Sequence, residues 1–338
     1  MRAFDRVKNM CKATIFEDDN MTILRVMVGF ITSVMLLGTD VVSGQTYPSK
    51  PIHIVTSGAG GSSDFTARLI AQGISGTLGQ SVIVDNRAGI ISYGMVAKAP
   101  PDGYNVLLAG AYFTTLTLLQ NVPADPVKDF SPVTQTDRVP SILAVHPSLP
   151  VKSPKELIVL AKAKPGALNY GSSPAGTASH LGGELFKSMA GINIVRVTYK
   201  SAGLALNALM GGEVELMMTP PAASGPHIRS NRLRALAVTT AQPTALAPGL
   251  PTMAASGIPG FEMAIIAGVY APAKTPEAII NRLNEAIVRV LKQPDIKQKF
   301  FDTGVEIVAS SPGEHQAAVK ADIARWAKVI KDAGIRAE

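Results

Sequence analysis

Two stretches of this chain join a short apolar strand, a loop of glycine and hydroxyl residues, and the start of a helix, a combination that can hold an anion. In the first, Ile52-His53-Ile54-Val55-Thr56 runs into Ser57-Gly58-Ala59-Gly60-Gly61-Ser62-Ser63-Asp64, and Phe65, Leu69, Ile74 and Leu78 then fall at helical spacing. In the second, Leu168-Asn169-Tyr170 leads into Gly171-Ser172-Ser173-Pro174-Ala175-Gly176-Thr177-Ala178-Ser179-His180, followed by Leu181, Leu185 and Met189 on one helical face. The first amides of a helix have no partner inside it and the helix dipole is positive there, so a carboxylate or phosphate can rest on them. Gly58, Gly60 and Gly61 allow close backbone approach, and Ser62 or Ser63 offers a cap. The space between the two loops is the expected binding site.

Other chemistries fit these residues less well. Gly58-Ala59-Gly60 supplies two glycines of a dinucleotide fingerprint and Asp85 ends the next strand, but Ser63 stands where the third glycine belongs. Asp64 in the first helical turn would also oppose a pyrophosphate; it reads as an acid that stabilises its own helix. No G-x-S-x-G elbow is present, and nothing in the spacing joins His180 to a particular serine and acid, so no enzyme activity is expected. His180 fits a helix-surface or hinge-facing group as well as a ligand contact. Tyr199 and Lys200 follow a strand, at the edge where α/β proteins bind ligands. The five histidines lack metal-ligand spacing and Cys11 is the sole cysteine, so neither a metal, a cofactor nor a disulfide framework is expected.

The elements around these loops alternate. Strand 51–56, helix 64–78 closed by Gly79, and strand 82–84 make one β-α-β unit; a short helix to Lys98 and strand 104–109 follow. Two extended segments between Phe130 and His146, joined through Asp137-Arg138-Val139-Pro140, suit a crossing between domains. Ser153-Pro154-Lys155-Glu156 and Ser311-Pro312-Gly313-Glu314 are capping boxes that start helices, and the last helix turns Val319, Ile323, Trp326 and Ile330 inward. Strands are expected at 192–198, 214–218, 233–239 and near 265–270, a loop at 219–225, and a helix from Thr275-Pro276-Glu277, the second of the two that complete the chain being the last. Hydrophobic residues form 46% of the chain and charged ones 17%, which describes a globular protein. The net charge of +7 comes from scattered Lys and Arg with few aromatics among them, so nucleic acid is not an expected partner.

The fold expected is α/β with two lobes, each a mostly parallel sheet flanked by helices, hinged by crossover strands. Residues 45–136 with 239–338 are assigned to the first lobe and 137–238 to the second. Within 1–44, Met21 to Arg25 gives a short basic start, Val26 to Leu37 an apolar run too short for a stable membrane anchor, and Val42-Ser43-Gly44 a small-residue cleavage site. The charged Met1–Asn20 ahead of it points to translation from Met21 or to a long n-region.

Several segments resemble the Bug-type solute receptors of tripartite tricarboxylate transporters. They include Tyr47-Pro48-Ser49-Lys50-Pro51-Ile52, Gly60-Gly61-Ser62-Ser63-Asp64, Ala99-Pro100-Pro101-Asp102-Gly103-Tyr104 and Asp125-Pro126-Val127-Lys128-Asp129-Phe130. Tyr170-Gly171-Ser172-Ser173, Gly176-Thr177 with His180-Leu181, Glu184-Leu185-Phe186, Tyr199-Lys200 and Leu233-Arg234-Ala235-Leu236-Ala237-Val238 add to them. The resemblance implies that the two-lobed α/β fold is the type II-like periplasmic-binding-protein fold. It implies a periplasmic monomer that grips a small carboxylate through loop amides and delivers it to inner-membrane permease subunits; a sensor partner in place of the permease is the alternative. The implied contacts are Ser57, Gly60, Gly61, Ser62, Ser63 and Asp64 from the first loop, Ser173, Ala175, Gly176, Thr177 and His180 from the second, with Tyr199 and Thr219. The loop after Arg87 is shorter than the family's glycine-rich one, and Thr219 stands where the family commonly has an acid, which disfavours a ligand amino group. The exported protein is expected to begin at Gln45, which N-terminal mass analysis checks; retention of residues 1–44 would remove the export reading.

Overall fold

Alternating apolar residues and glycine-bounded helices produce two sheets, described here from a computed structural model that covers residues 47–110 and 113–335. The expected signal segment lies outside the described residues. From Lys50 onward the chain forms one compact unit.

The strands in chain order are β1 (Ile52–Thr56), β2 (Val82–Asn86), β3 (Asn105–Ala109), β4 (Phe130–Pro140), β5 (Ile142–Val145), β6 (Asn169–Ser172), β7 (Val195–Thr198), β8 (Leu216–Thr219), β9 (Arg234–Val238), β10 (Ala264–Pro272) and β11 (Glu306–Ile307). The helices are α1 (Ser62–Leu78), α2 (Gly89–Ala97), α3 (Phe113–Leu119), α4 (Pro154–Ala163), α5 (Ala178–Ala190), α6 (Ala202–Gly211), α7 (Pro221–Arg229), α8 (Glu277–Leu291), α9 (Pro294–Asp302) and α10 (Pro312–Asp332). One sheet has the order β11-β4-β10-β3-β1-β2 and the other β7-β6-β8-β5-β9.

The two-lobed α/β fold is as expected, but both sheets are mixed where mostly parallel ones were expected. β1 pairs in parallel with β2 and β3, and β6 with β7 and β8, because each of those connections returns through a helix. The crossover strands join antiparallel: β10 to β3 and β4, and β5 to β8 and β9. The break between β4 and β5 falls at Ser141. Asp137 to Pro140, expected as the joint, instead continue β4 against Ala267 to Ala264 of β10, which supplies the backbone partners that hold the segment extended.

Along β5, Ile142 and Ala144 enter the core under α6 while Leu143 and Val145 enter the core under α5, so the second sheet is covered on both faces. Helix α5 lies close on that sheet because it carries glycines where side chains would collide: a Cβ on Gly183 would come within 2.3 Å of the Tyr170 ring. Three helices escape the sequence pattern. α7 occupies the expected loop at 219–225, its Pro221 standing in the first turn where a missing N–H costs nothing. α9 begins at Pro294 in the same way, and α3 is a short run following β3.

The lobes are tied at Ser141, Thr239 and Met263. Thr239 Oγ1 lies 3.0 Å from Ser141 O and 2.7 Å from Met263 O and accepts from the Ser141 N–H at 2.9 Å. Helix α10 ties them again: Val319 and Ile323 pack in the core with Phe113, Phe130 and Tyr270, while Trp326, Val329 and Ile330 pack in the core with Leu181, Leu185 and Met263. Between them Asp322 accepts from Thr114 Oγ1 at 2.6 Å and Trp326 Nε1 at 2.9 Å.

Near the crossing, Asp137 is buried, the hydroxyls of Thr136 and Thr66 serve its carboxyl, and burial pushes its pKa up to about 6. This value lies above the unfolded one of about 4, so the folded chain binds the proton more tightly and stability declines as pH rises between about 4 and 6. Asp137→Asn is expected to gain stability relative to the parent at about pH 7.5 compared with about pH 4.5 in urea unfolding. An equal difference at both pH values would exclude this carboxyl from the titration.

Candidate functional site

The first loop is shaped by its own helix. Gly60 adopts φ +83°, and its N–H donates to Asp64 Oδ2 at 2.9 Å, four residues on in the first turn of α1. Asp64 is buried. Its carboxylate also accepts from Arg68 Nε at 3.1 Å and from Asn86 Nδ2 at 2.9 Å, and Asn86 Nδ2 donates further to Ser57 O at 2.8 Å. The Arg68 hydrogen bond, then the Gly60 amide, hold the Asp64 pKa down to about 2 against the opposing effect of burial. Asp64 therefore organises the loop from an ionised state, as the reading of a helix-stabilising acid anticipated. Helix α1 has Gly61 at its N-cap, with no side-chain cap, and among the described residues the N–H groups of Ser62 and Ser63 have no acceptor.

The second loop repeats the device. Gly176 adopts φ +80° and its N–H donates at 3.1 Å to Nδ1 of His180, again four residues on in the first turn of a helix, here α5. His180 is buried, so the structure places it behind the loop rather than on the helix surface. Thr177, the N-cap of α5, makes no capping bond. Its hydroxyl donates to Pro174 O at 2.8 Å and accepts from Ser173 Oγ at 2.9 Å, while Ser179 Oγ accepts the Ser173 N–H at 3.1 Å. Arg196 of β7 braces the loop from outside, donating to Ser172 Oγ at 2.8 Å and Ser173 O at 3.2 Å. By contrast Ser153, Ser201 and Ser311 do cap α4, α6 and α10.

Both loops abut the segment that follows β3. Ser63 Oγ lies 2.7 Å from where a Cβ on Gly110 would stand, and Leu119 Cδ1 lies 2.6 Å from where one on Gly176 would stand. Tyr199 and Thr219 close β7 and β8, the parallel neighbours of β6, and so share the sheet edge that carries Ser173. Thr219 is buried and paired with Ile142; the Tyr199 hydroxyl is 3.5 Å from Glu213 Oε2. Asn86, Arg68 and Arg196, which brace the loops, were not singled out by the sequence reading. The i,i+4 spacing of Asp64 and Arg68 was a signal; nothing in the sequence tied Asn86 or Arg196 to the loops. Among the described residues no group of metal-ligating side chains occurs, and no helix is long and apolar enough to cross a membrane.

The chain as a whole has relatives among known proteins. A family model described as the tripartite tricarboxylate transporter family receptor matches residues 66–335. The chain is similar to protein BugT of Bordetella pertussis, 34% identical over 94% of this chain and 99% of BugT. It is similar to an R. palustris structure with adipate, 38% identical over 86% of this chain and 100% of that one with a TM-score of 0.67. It is also similar to MatC from Rhodopseudomonas palustris with bound malate, 27% identical over 84% of this chain and 100% of that one, TM-score 0.64. The chain belongs to the tripartite tricarboxylate transporter receptor family.

Proposed function

We propose that this receptor captures a small organic acid in the periplasm between the Ser57–Asp64 and Ser173–His180 loops and hands it to inner-membrane permease subunits of a tripartite tricarboxylate transporter. The observation that carries the reading is that α1 and α5 leave their N-caps unfilled although Thr177 has a hydroxyl to offer, which keeps amides available to a carboxylate. Charge-assisted hydrogen bonds contribute about 1.5–3 kcal/mol each, so a handful from two loops reaches the roughly 8 kcal/mol of micromolar binding after the cost of closure. The adipate and malate held by relatives support a dicarboxylate. The one carboxylate in the loops, Asp64, is occupied by Gly60, Arg68 and Asn86, and Thr219 brings no charge, which favours a ligand without an amino group. Closure about the Ser141, Thr239 and Met263 tie brings the second carboxylate-binding loop onto the first.

A thermal-shift screen of the mature protein against mono-, di- and tricarboxylates, amino acids and nicotinamide dinucleotide tests this. Saturation at a hundred times Kd stabilises by about 2.7 kcal/mol, a shift of a few degrees, expected with carboxylates alone. A response to amino acids or to the dinucleotide instead would overturn the solute class.

Gly61→Asp and Thr177→Asp each place a carboxylate at an N-cap, where it fills the amides a ligand needs. At Gly61 the nearest atom to a new Cβ is Gly58 O at an ordinary 3.6 Å. Either substitution is expected to weaken solute binding at least about tenfold, roughly 1.4 kcal/mol; stability holds or rises by a few tenths of a kcal/mol in Gly61→Asp, and falls by about 1 kcal/mol in Thr177→Asp, which gives up the hydroxyl's bond to Pro174 O. Isothermal titration alongside urea unfolding reads both; unchanged affinity in one variant removes that loop from the site.

A further inference from the structure

The two loops share one tie and differ in the chemistry of its acceptor. In each, a glycine of positive φ donates its N–H to a first-turn side chain four residues on: Gly60 to Asp64 Oδ2 at 2.9 Å, Gly176 to His180 Nδ1 at 3.1 Å. A carboxylate beside Arg68 accepts throughout the pH range in which the protein works. An imidazole nitrogen accepts only while it keeps its lone pair, because the imidazolium carries a proton on both nitrogens. Gly176 is buried, so loss of that acceptor leaves a buried N–H without a partner, and the loop must rearrange to satisfy it.

We infer that His180 is a positioning residue whose neutral Nδ1 holds the second loop in its solute-binding shape, so that protonation of His180 loosens this loop and lowers solute affinity while the first loop stays intact. The inference rests on the proposed two-loop capture. Among the described residues the charged groups around His180 are Glu184 and Lys187 on its own helix and Arg196 on β7, which line with it and with Ala333 to Ile335 a polar cavity of about 350 Å³. Glu184 is bound to Lys187 Nζ at 2.9 Å and accepts from Tyr170 Oη at 2.6 Å, while Arg196 holds Ser172 and Ser173.

The decisive variants are His180→Asn, whose Oδ1 takes the place of Nδ1 and accepts without titrating, and His180→Leu, which accepts at no pH. In the ligand-free protein, amide hydrogen exchange of the 174–181 segment, corrected for intrinsic rates, is followed from about pH 7.5 down to about pH 4.5. Protection of Gly176 is expected to fall at the lower pH in the parent, to persist in His180→Asn and to be absent in His180→Leu, with α8 segments as a control for global unfolding. Adipate titrations are expected to show a parent Kd that rises about tenfold or more on acidification relative to that of His180→Asn, the ratio cancelling titration of adipate itself. Equal pH dependence in the parent and His180→Asn, in exchange or in the Kd ratio, overturns the inference. If no variant binds adipate, the exchange measurement alone decides the tie, and the failure falls on the proposed solute class.

Discussion

A glycine N–H taken up by a first-turn side chain shapes both loops of this receptor. In each, a glycine in the left-handed region turns the chain just ahead of a helix start. In each lobe a side chain from that helix returns to take the amide, Asp64 for Gly60 and His180 for Gly176. With the turn satisfied from within, neither Asp64 nor His180 caps its helix, and α1 and α5 start without a side-chain cap.

The rest of the fold serves to hold those two helix starts in place. Asn86 at the end of β2 reaches both Ser57 O and Asp64, so the edge strand of the first sheet fixes the first loop. Arg196 on β7 does the equivalent for the second, through Ser172 and Ser173. Glycines at 182 and 183 let α5 settle against Met263 and Tyr170, which sets how far its N-terminus projects from the sheet. The lobes are then linked by short hydrogen bonds among Ser141, Thr239 and Met263 and by α10, whose successive turns are buried in two different cores. Trp326 and Val319, both on α10, are buried.

Much of this was legible in the chain. The strand, glycine loop and helix order of both segments is found as read; Gly79, found in the left-handed C-cap conformation, marked the end of α1; and Ser311 with Glu314 formed the capping box its spacing predicted. Ser153 caps α4, although Glu156 reaches back to the Lys152 N–H rather than to that of Ser153. The loop expected at 219–225 became a helix because its prolines and glycine are punctuation only when no tertiary partner is supplied; against β5 and the 246–250 segment they fit a turn-rich helix. Met189, placed inward by its spacing, is largely exposed near the end of α5, where the helix passes beyond the sheet.

The sequence by itself determined local identity: which segments form strands, where most helices begin, and that glycine and hydroxyl residues front two of those helices. These follow from periodicity, capping chemistry and the conformational freedom of glycine, all of which act over a few residues. Only the tertiary structure decided that both sheets are mixed, that β4 runs on to Pro140, and that Asn86 and Arg196 brace the loops. It alone revealed that Gly60 and Gly176 are tied by two acceptors of different chemistry. Those outcomes depend on strand pairing and side-chain contacts between residues far apart in the chain, and pairing energies of that kind leave no local pattern to read.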